Sequence, residues 1–327
     1  MINFSDPQTR YLIDYANINQ GLIKNQNNFL SKIEFKKFLK KKYLGCPLVL
    51  PLGIKYFDYS KCNEIYEISK KDVKKFIFDC KDNKYVGMKI FFKYGTKFCT
   101  GATVKQKYKK DVKFIINFNL KLITLIKRYK KKNRISSFQT RNIPHLGHEK
   151  IIKSLMGSKK ILFINPLIGM KKKGDCKNDI LKDIFNFLLK KDEYKSKVFY
   201  GPAICNMNYA GPREALHHSY IREILGFDEF SVGRDHAGAE NNYQALDAPK
   251  FVKKNIKRLK INIFFHNGAY YCERCKRIVL KGECNHKKLT EISGTKFRKK
   301  LIEKKKFEYM RNSLQVYISK FRKKLFY

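Results

Sequence analysis

The sequence has no tryptophan and is poor in carboxylates, with 28 Asp plus Glu against 72 Lys plus Arg, a formal charge of +44. Its first twenty residues, MINFSDPQTRYLIDYANINQ, have no charged start followed by an apolar core, so they are not expected to act as a secretory signal. Long hydrophobic runs are missing too. The longest, FIINFNLKLITLI from Phe114, is broken by Asn117, Asn119 and Lys121 and is too short to cross a bilayer. A phosphate-binding GxxxxGK[ST] loop is absent: Gly169 and Gly174 have the right spacing, but Asp175 stands where the lysine belongs. Cys46, Cys62, Cys80, Cys99, Cys176 and Cys205 show no pairing pattern and read as ordinary thiols in a reducing compartment. What these absences leave is a soluble, cytoplasmic protein without a membrane partner, large enough at 327 residues for two domains or one domain with an appendage.

So basic a balance normally points to nucleic acid or another anionic surface. The lysines, however, are spread over every segment, in runs such as Lys40 to Lys42, Lys130 to Lys132, Lys171 to Lys173 and Lys304 to Lys306. Together with abundant Asn, Ile, Phe and Tyr, this reads as the amino-acid bias of an AT-rich genome and as solvated faces, ahead of nucleic-acid binding. The charge would still draw in anionic substrates.

Organisation changes near residue 133. Residues 1–132 open on a helical stretch and continue in short apolar, aromatic runs read as strands: PLVLPLGIKYF, KKFIFDC, YVGMKIFFKYG and DVKFIINFNLKLITLIKRY. The basic segment from Lys127 to Arg134 reads as a linker. Residues 133–327 alternate strand and helix: RISSFQT with HLGHEKIIKSLM, KILFINPLIG with NDILKDIFNFLLKKD, KVFYGPAI with PREALHHSYIREIL, EFSVG with ALDAPKFVKKNIKRL, and a last strand INIFFH. Repeated β-α units of this length imply an α/β fold with a parallel sheet and ligands at the carboxyl ends of its strands. The clusters QTRN, NPLIGMKKKGD, GPREALHH and GRDHAG each follow a strand and would converge on one edge.

The chemistry concentrates in FQTRNIPHLGHE, residues 138–149. Arg141 offers a planar fork for an oxyanion. His145 and His148, three apart, face one side of a first helical turn, and Gly147 between them lets a ligand near the backbone. In the second cluster, Gly233 and Gly238 flank Arg234, Asp235, His236 and Ala237, a turn suited to presenting amides and a cation to an anion. In the third, Ser293 or Thr295 is a natural helix N-cap, so the amides of ISGTKFR are free for phosphate oxygens. Cys272, Cys275, Cys284 and His286 form CxxC, eight residues, then CxH, the spacing of a closed, structural zinc site on a hairpin over 270–288.

HxGH between strand and helix is a signature of the nucleotidylyltransferase superfamily. The ordered set QTRNIPHLGHE, YAGPREALHH, GRDHAG and ISGTKFR resembles ATP sulfurylase (sulfate adenylyltransferase) over residues 135 to 300. The resemblance implies a small β-rich PUA-like domain at 1–132, then a Rossmann-like catalytic domain at 133–327 that includes the zinc hairpin. It implies the reversible reaction of MgATP with sulfate to give adenylyl sulfate and pyrophosphate, Mg2+ with the nucleotide, structural Zn2+, and a homodimer. By motif, Gln139, Arg141 and the Ala237 backbone would hold sulfate. Thr140, Arg141, Asn142, His145, His148 and Arg234 would be catalytic. ATP would meet Gln139, Thr140, Arg141, Asn142, the turn Gly233, Arg234, Asp235 and His236, and Ser293 and Thr295. The HLGH form and the zinc motif resemble those of sulfur-oxidising bacteria and archaea, which run the reaction toward ATP. Ile143 separates QTRN from Pro144, Asn208 stands where many relatives have Arg, the GAxSPLxGF stretch of the first domain is not recognisable, and no fused kinase domain follows. The alternatives are another adenylyltransferase of the HxGH superfamily, or a basic nucleic-acid-binding protein with a zinc knuckle.

Overall fold

The computed structural model describes residues 2–292, 294–303, 305–321 and 324–327, the side chains of Thr295 and Lys296 excepted. Two small antiparallel sheets precede residue 133. In one, Lys97–Thr100 lies between Leu50–Pro51 and Glu64–Glu67; in the other, Phe57–Asp58 pairs with Thr103–Val104. Around them pack helices α1 (Thr9–Asn19) and α2 (Lys109–Lys130).

Three runs expected there as strands are helical. Val73–Phe78 is a π-helix, Val86–Phe91 an α-helix, and the longest run is α2 itself. In α2 the buried residues are Val112, Ile115, Asn119, Leu122 and Ile126, one stripe spaced by three and four. That helical period outweighs the β-leaning composition. Asn119, on paper an interruption, is the stripe's polar clasp. Its amide donates to Asn17 Oδ1 of α1 at 3.0 Å and its carbonyl accepts the Ile204 amide at 2.9 Å. The expected linker is largely the last turn of α2, leaving only Lys131 to Asn133 between helix and sheet. An apolar cluster runs across this link, from Phe38 and Val73 through Ile126 to Ile135, Phe163 and Val252.

Beyond it the alternation forms as the periodicity predicts. Five parallel strands, β1 (Arg134–Phe138), β2 (Lys160–Ile164), β3 (Val198–Tyr200), β4 (Glu229–Gly233) and β5 (Asn262–His266), lie in the order β5-β4-β1-β2-β3. Helices α3 (Leu146–Leu155), α4 (Asn178–Leu188), α5 (Gly211–Leu225) and α6 (Asp247–Lys254) connect them. The order reverses between β1 and β4, the switch point where such sheets open a crevice at their carboxyl ends. Central β1 contains Ser136 and Ser137, whose hydroxyls are satisfied by the Glu229 carboxylate at 2.6 Å and the Glu229 carbonyl at 3.0 Å. Helix α5 is buried almost all round, and its charges are matched internally: Arg222 donates to the side chain and carbonyl of Asn165, Arg213 to the carbonyls of Gly45 and Phe38.

After β5 a three-stranded antiparallel sheet follows, β6 (Ala269–Cys272) flanked by β7 (Arg277–Leu280) and β8 (Leu289–Glu291). Helices α7 (Gly294–Ile302) and α8 (Asn312–Ser319) close the chain. No helix among the described residues is long and apolar enough to cross a membrane.

Candidate active site

At the switch point lies a cavity of about 580 Å³. The β1 side supplies Gln139, Thr140, Arg141, Asn142, His145 and His148; the β4 side supplies Gly233 to Gly238. The strand-end clusters therefore do converge, with Lys172 after β2 and Gly211 and Pro212 in the first turn of α5 on the same wall. Ser293 lies outside the described residues, as does the side chain of Thr295; their neighbours Gly294 and Arg298 line the cavity.

His145 caps α3, and the two imidazoles form a reciprocal box. The His148 amide donates to His145 Nδ1 at 3.3 Å and the His145 amide to His148 Nδ1 at 3.4 Å, with ring centroids 3.9 Å apart. Burial holds His145 down to about 4 and His148 well below the ordinary imidazole value, the latter helped by the neighbouring His145. Both rings are neutral at pH 7, and with Nδ1 accepting, each proton is on Nε2. Gly147 has a tighter role than ligand access: a Cβ there would meet His145 Cε1 at 2.9 Å and Ala269 Cβ at 3.3 Å.

Arg141 lies 5.3 Å above the Tyr209 ring, donates from Nη2 to the Gly238 carbonyl at 2.5 Å, and has Nε 3.7 Å from Asp175 Oδ1. Its Nη1 and Gln139 Oε1 are buried and without a hydrogen-bond partner among the described residues. Arg234 is instead saturated. It forms an ion pair with Glu291 of β8, approaches Asp235 at 3.3 Å from Nε, and donates from Nη1 to the Tyr270 hydroxyl of β6 at 3.3 Å. Asp235 and Ala237 both adopt left-handed φ, 56° and 55°, which folds the turn into an anion-facing concavity. Among the described residues the Ala237 amide has no protein acceptor. Gly233 is obligatory, because a Cβ would lie 2.3 Å from the His266 ring.

Around the cavity, His218, Glu214 and His266 escaped the sequence reading as site residues. His236 Nε2 is 3.0 Å from His218 Nδ1, which links α5 to the cleft, and the Glu214 carboxylate lies 3.1 Å from His218 Nε2. Burial raises the Glu214 carboxyl and holds both imidazoles well below their ordinary value. His266, lowered to about 4 by burial and then by Arg234, lines the opposite wall. The only legible hint was the string GPREALHH, which follows β3.

Away from the cleft, the ligand atoms of Cys272, Cys275, Cys284 and His286 all lie within 4.8 Å of one another. His286 Nδ1 is 3.4 Å from Cys272 Sγ and 3.2 Å from Cys275 Sγ. A tetrahedron with metal–sulfur bonds of about 2.3 Å and metal–nitrogen bonds of about 2.0 Å sets its ligand atoms roughly 3.5 Å apart, close to the two His286 distances, so this Cys3His cluster could hold zinc. Hydrogen bonding, first from the Cys275 amide, brings the Cys272 thiol down to about 6.

The ATP-sulfurylase family model matches residues 121–315. Sulfate adenylyltransferase of Ignicoccus hospitalis is 41% identical over 180 residues, 54% of this chain; the chain spans only 47% of that relative's length. The Pyrococcus abyssi sulfate adenylyltransferase is 31% identical over 324 residues, 91% of this chain and 85% of that one. Among solved structures, a hexameric APS kinase from Thiobacillus denitrificans aligns with a TM-score of 0.60 at 13% identity, covering 95% of this chain and 61% of that one, a likeness of fold.

Proposed function

The chain belongs to the ATP-sulfurylase family, and from that premise and the geometry of the cleft we propose that it is a sulfate adenylyltransferase. It joins sulfate to the adenylyl part of MgATP, releasing pyrophosphate, and runs in reverse. One observation carries the reading: two arginines, two imidazoles whose Nδ1 atoms accept backbone amides, and a backbone amide with no acceptor among the described residues meet in one cavity at the switch point.

In the forward direction a sulfate oxygen attacks the α-phosphorus, the bond from that phosphorus to the bridging oxygen breaks, and pyrophosphate departs with the electron pair. Sulfate has no proton to lose, so no general base is needed, and catalysis rests on aligning two anions and neutralising the pentavalent phosphorus. Arg141 suits the sulfate because its unpartnered Nη1 remains to be satisfied. Gln139 joins it by turning its amide over to present Nε2, and the Ala237 amide completes the grip. Thr140 and Asn142 shape the turn, with the Asn142 amide bonded to Thr140 Oγ1 at 3.0 Å. His145 and His148 donate from Nε2 to the phosphates, and Arg234 serves the transition state once it leaves Glu291. The backbone from Gly233 to His236, with Ser293 and Thr295, takes the nucleotide.

Zn2+ would occupy Cys272, Cys275, Cys284 and His286 and rigidify the hairpin, with no open position for chemistry. Mg2+ enters with ATP. Residues 1–132 and 133–327 form the PUA-like and catalytic parts in this reading, and the homodimer rests on the family resemblance. Purified protein is expected to make ATP from adenylyl sulfate and pyrophosphate, and the reverse; absence of turnover in both directions overturns the assignment. The two kcat/KM values give the favoured direction.

A further inference from the structure

The loop after β2, residues 169–176, reads at first as a failed phosphate loop in a lysine-rich chain. Its geometry gives it another role. Of Lys171, Lys172 and Lys173, only Lys172 lines the main cavity. Its Nζ is 3.3 Å from Asp175 Oδ1, the same oxygen that Arg141 Nε approaches at 3.7 Å. Asp175 is 1% exposed. Its Oδ2 accepts the Tyr209 hydroxyl at 2.9 Å, and that hydroxyl accepts the Lys172 amide at 2.8 Å. The Tyr209 ring in turn supports the Arg141 guanidinium from below.

A buried carboxylate behind the wall of a cavity that takes anions opposes their binding, so its presence has to be offset by what it does to the cavity-lining Lys172 and Arg141. Here Oδ1, which makes no hydrogen bond of its own among the described residues, lies within ion-pair distance of two cations from different strand ends and offsets their mutual repulsion. The group keeps a net positive charge. Arg141 Nη1, buried and without a hydrogen-bond partner among the described residues, remains for an incoming oxyanion.

We propose that Lys172 is a further substrate-anion ligand of this cleft, and that Asp175, braced by Tyr209, is the positioning residue that aligns Lys172 and Arg141 on one tetrahedral oxyanion. The proposal rests on the sulfurylase reading for the identity of that anion, sulfate or a phosphoryl group of pyrophosphate. Loss of one charge-assisted hydrogen bond is worth on the order of tenfold in affinity.

The test uses wild type, Lys172→Gln, Asp175→Asn, Asp175→Glu and Tyr209→Phe, with equilibrium binding of sulfate and of pyrophosphate measured by calorimetry alongside kcat and KM. Lys172→Gln is expected to weaken binding of one of the two anions about tenfold, raising its KM while kcat stays within about twofold. The anion affected shows which one Lys172 holds. Asp175→Asn is expected to lower kcat/KM by more than Lys172→Gln at temperatures well below its Tm, with partial recovery in Asp175→Glu and a smaller loss in Tyr209→Phe. Lys172→Gln that binds both anions like wild type overturns the proposal, as does Asp175→Asn whose only defect is a lowered Tm. A wild type that binds these anions but never turns over would sink the transferase assignment while leaving this one standing.

Discussion

The two arginines of the cleft are held in opposite ways. At the β1 end, Arg141 rests on an aromatic face, a carbonyl and a shared carboxylate oxygen, with one buried nitrogen left without a partner among the described residues. At the β4 end, Arg234 is engaged by Glu291, Asp235 and Tyr270 at once. The first is a charge fixed in place before any ligand arrives; the second has to exchange a protein carboxylate for a substrate oxygen. A preorganised cation stabilises bound anion and transition state alike, whereas one that changes partners can contribute chiefly where charge develops.

Alanine at each position should separate the two. Arg141→Ala is expected to lower kcat/KM by about three orders of magnitude and to abolish sulfate binding, and Lys should not restore it, because an ammonium cannot reproduce the planar fork. Arg234→Ala should lower kcat by about two orders of magnitude while sulfate binding persists. Equal loss of sulfate affinity in both variants, by calorimetry, would erase the contrast.

Acid tests both ends together. Burial depresses His145 at the β1 end and His266 at the β4 end to about 4. As pH falls, the unfolded chain takes up protons near its ordinary imidazole value while the folded chain does not, so protons favour unfolding. The stability each ring secures is intact above about pH 6.5 and is lost as pH falls toward 4, roughly 3 kcal/mol per ring. Denaturant midpoints between pH 7 and 5 should fall with that sign. Pyrophosphate binding should draw protons in and tighten as pH falls from 8 to 6.5, because an anion beside the rings raises their affinity for protons. Calorimetry in buffers of different ionisation enthalpy measures that uptake.

Removal of metal should act on one end only. Tyr270 is two residues from Cys272 on β6, and Glu291 pairs with Tyr270 across to β8, so the Cys3His cluster supports the strands that hold Arg234. Chelation is expected to lower Tm and to reduce kcat about tenfold, with sulfate affinity at Arg141 unchanged. Equal damage to sulfate binding would show that the hairpin braces the whole cleft.

The α/β half was legible because β-α alternation has a strong period, and because strand ends in a parallel sheet must share an edge. QTRN, HLGH and GRDHAG therefore met as their positions required. The segment before residue 133 was harder. In α2 the stripe Val112, Ile115, Asn119, Leu122 and Ile126 has helical spacing, but β-branched and aromatic neighbours obscured it and Asn119 looked like a break. Asp175 was hidden for another reason. It was visible only as a departure from a lysine, and nothing in a linear string shows that its carboxylate lies against Arg141 and Tyr209. Contacts of that kind, like His236 with His218 and Arg234 with Glu291, join residues 18 to 57 positions apart through the fold.

Glu291→Gln carries the smallest expected effect and the sharpest meaning. If the ion pair with Arg234 is a competitor for substrate phosphate, its removal frees the guanidinium in the ground state, and the KM for pyrophosphate should fall a few-fold with kcat within about twofold. If Glu291 instead aims the arginine at the reacting phosphorus, kcat should fall toward that of Arg234→Ala and KM should hold. The amide keeps the size of the side chain and one acceptor oxygen for Arg234, so loss of packing is not in play. The ratio of the two kinetic changes therefore decides whether the β4 end is a cation waiting to be released or one already positioned, as at Arg141.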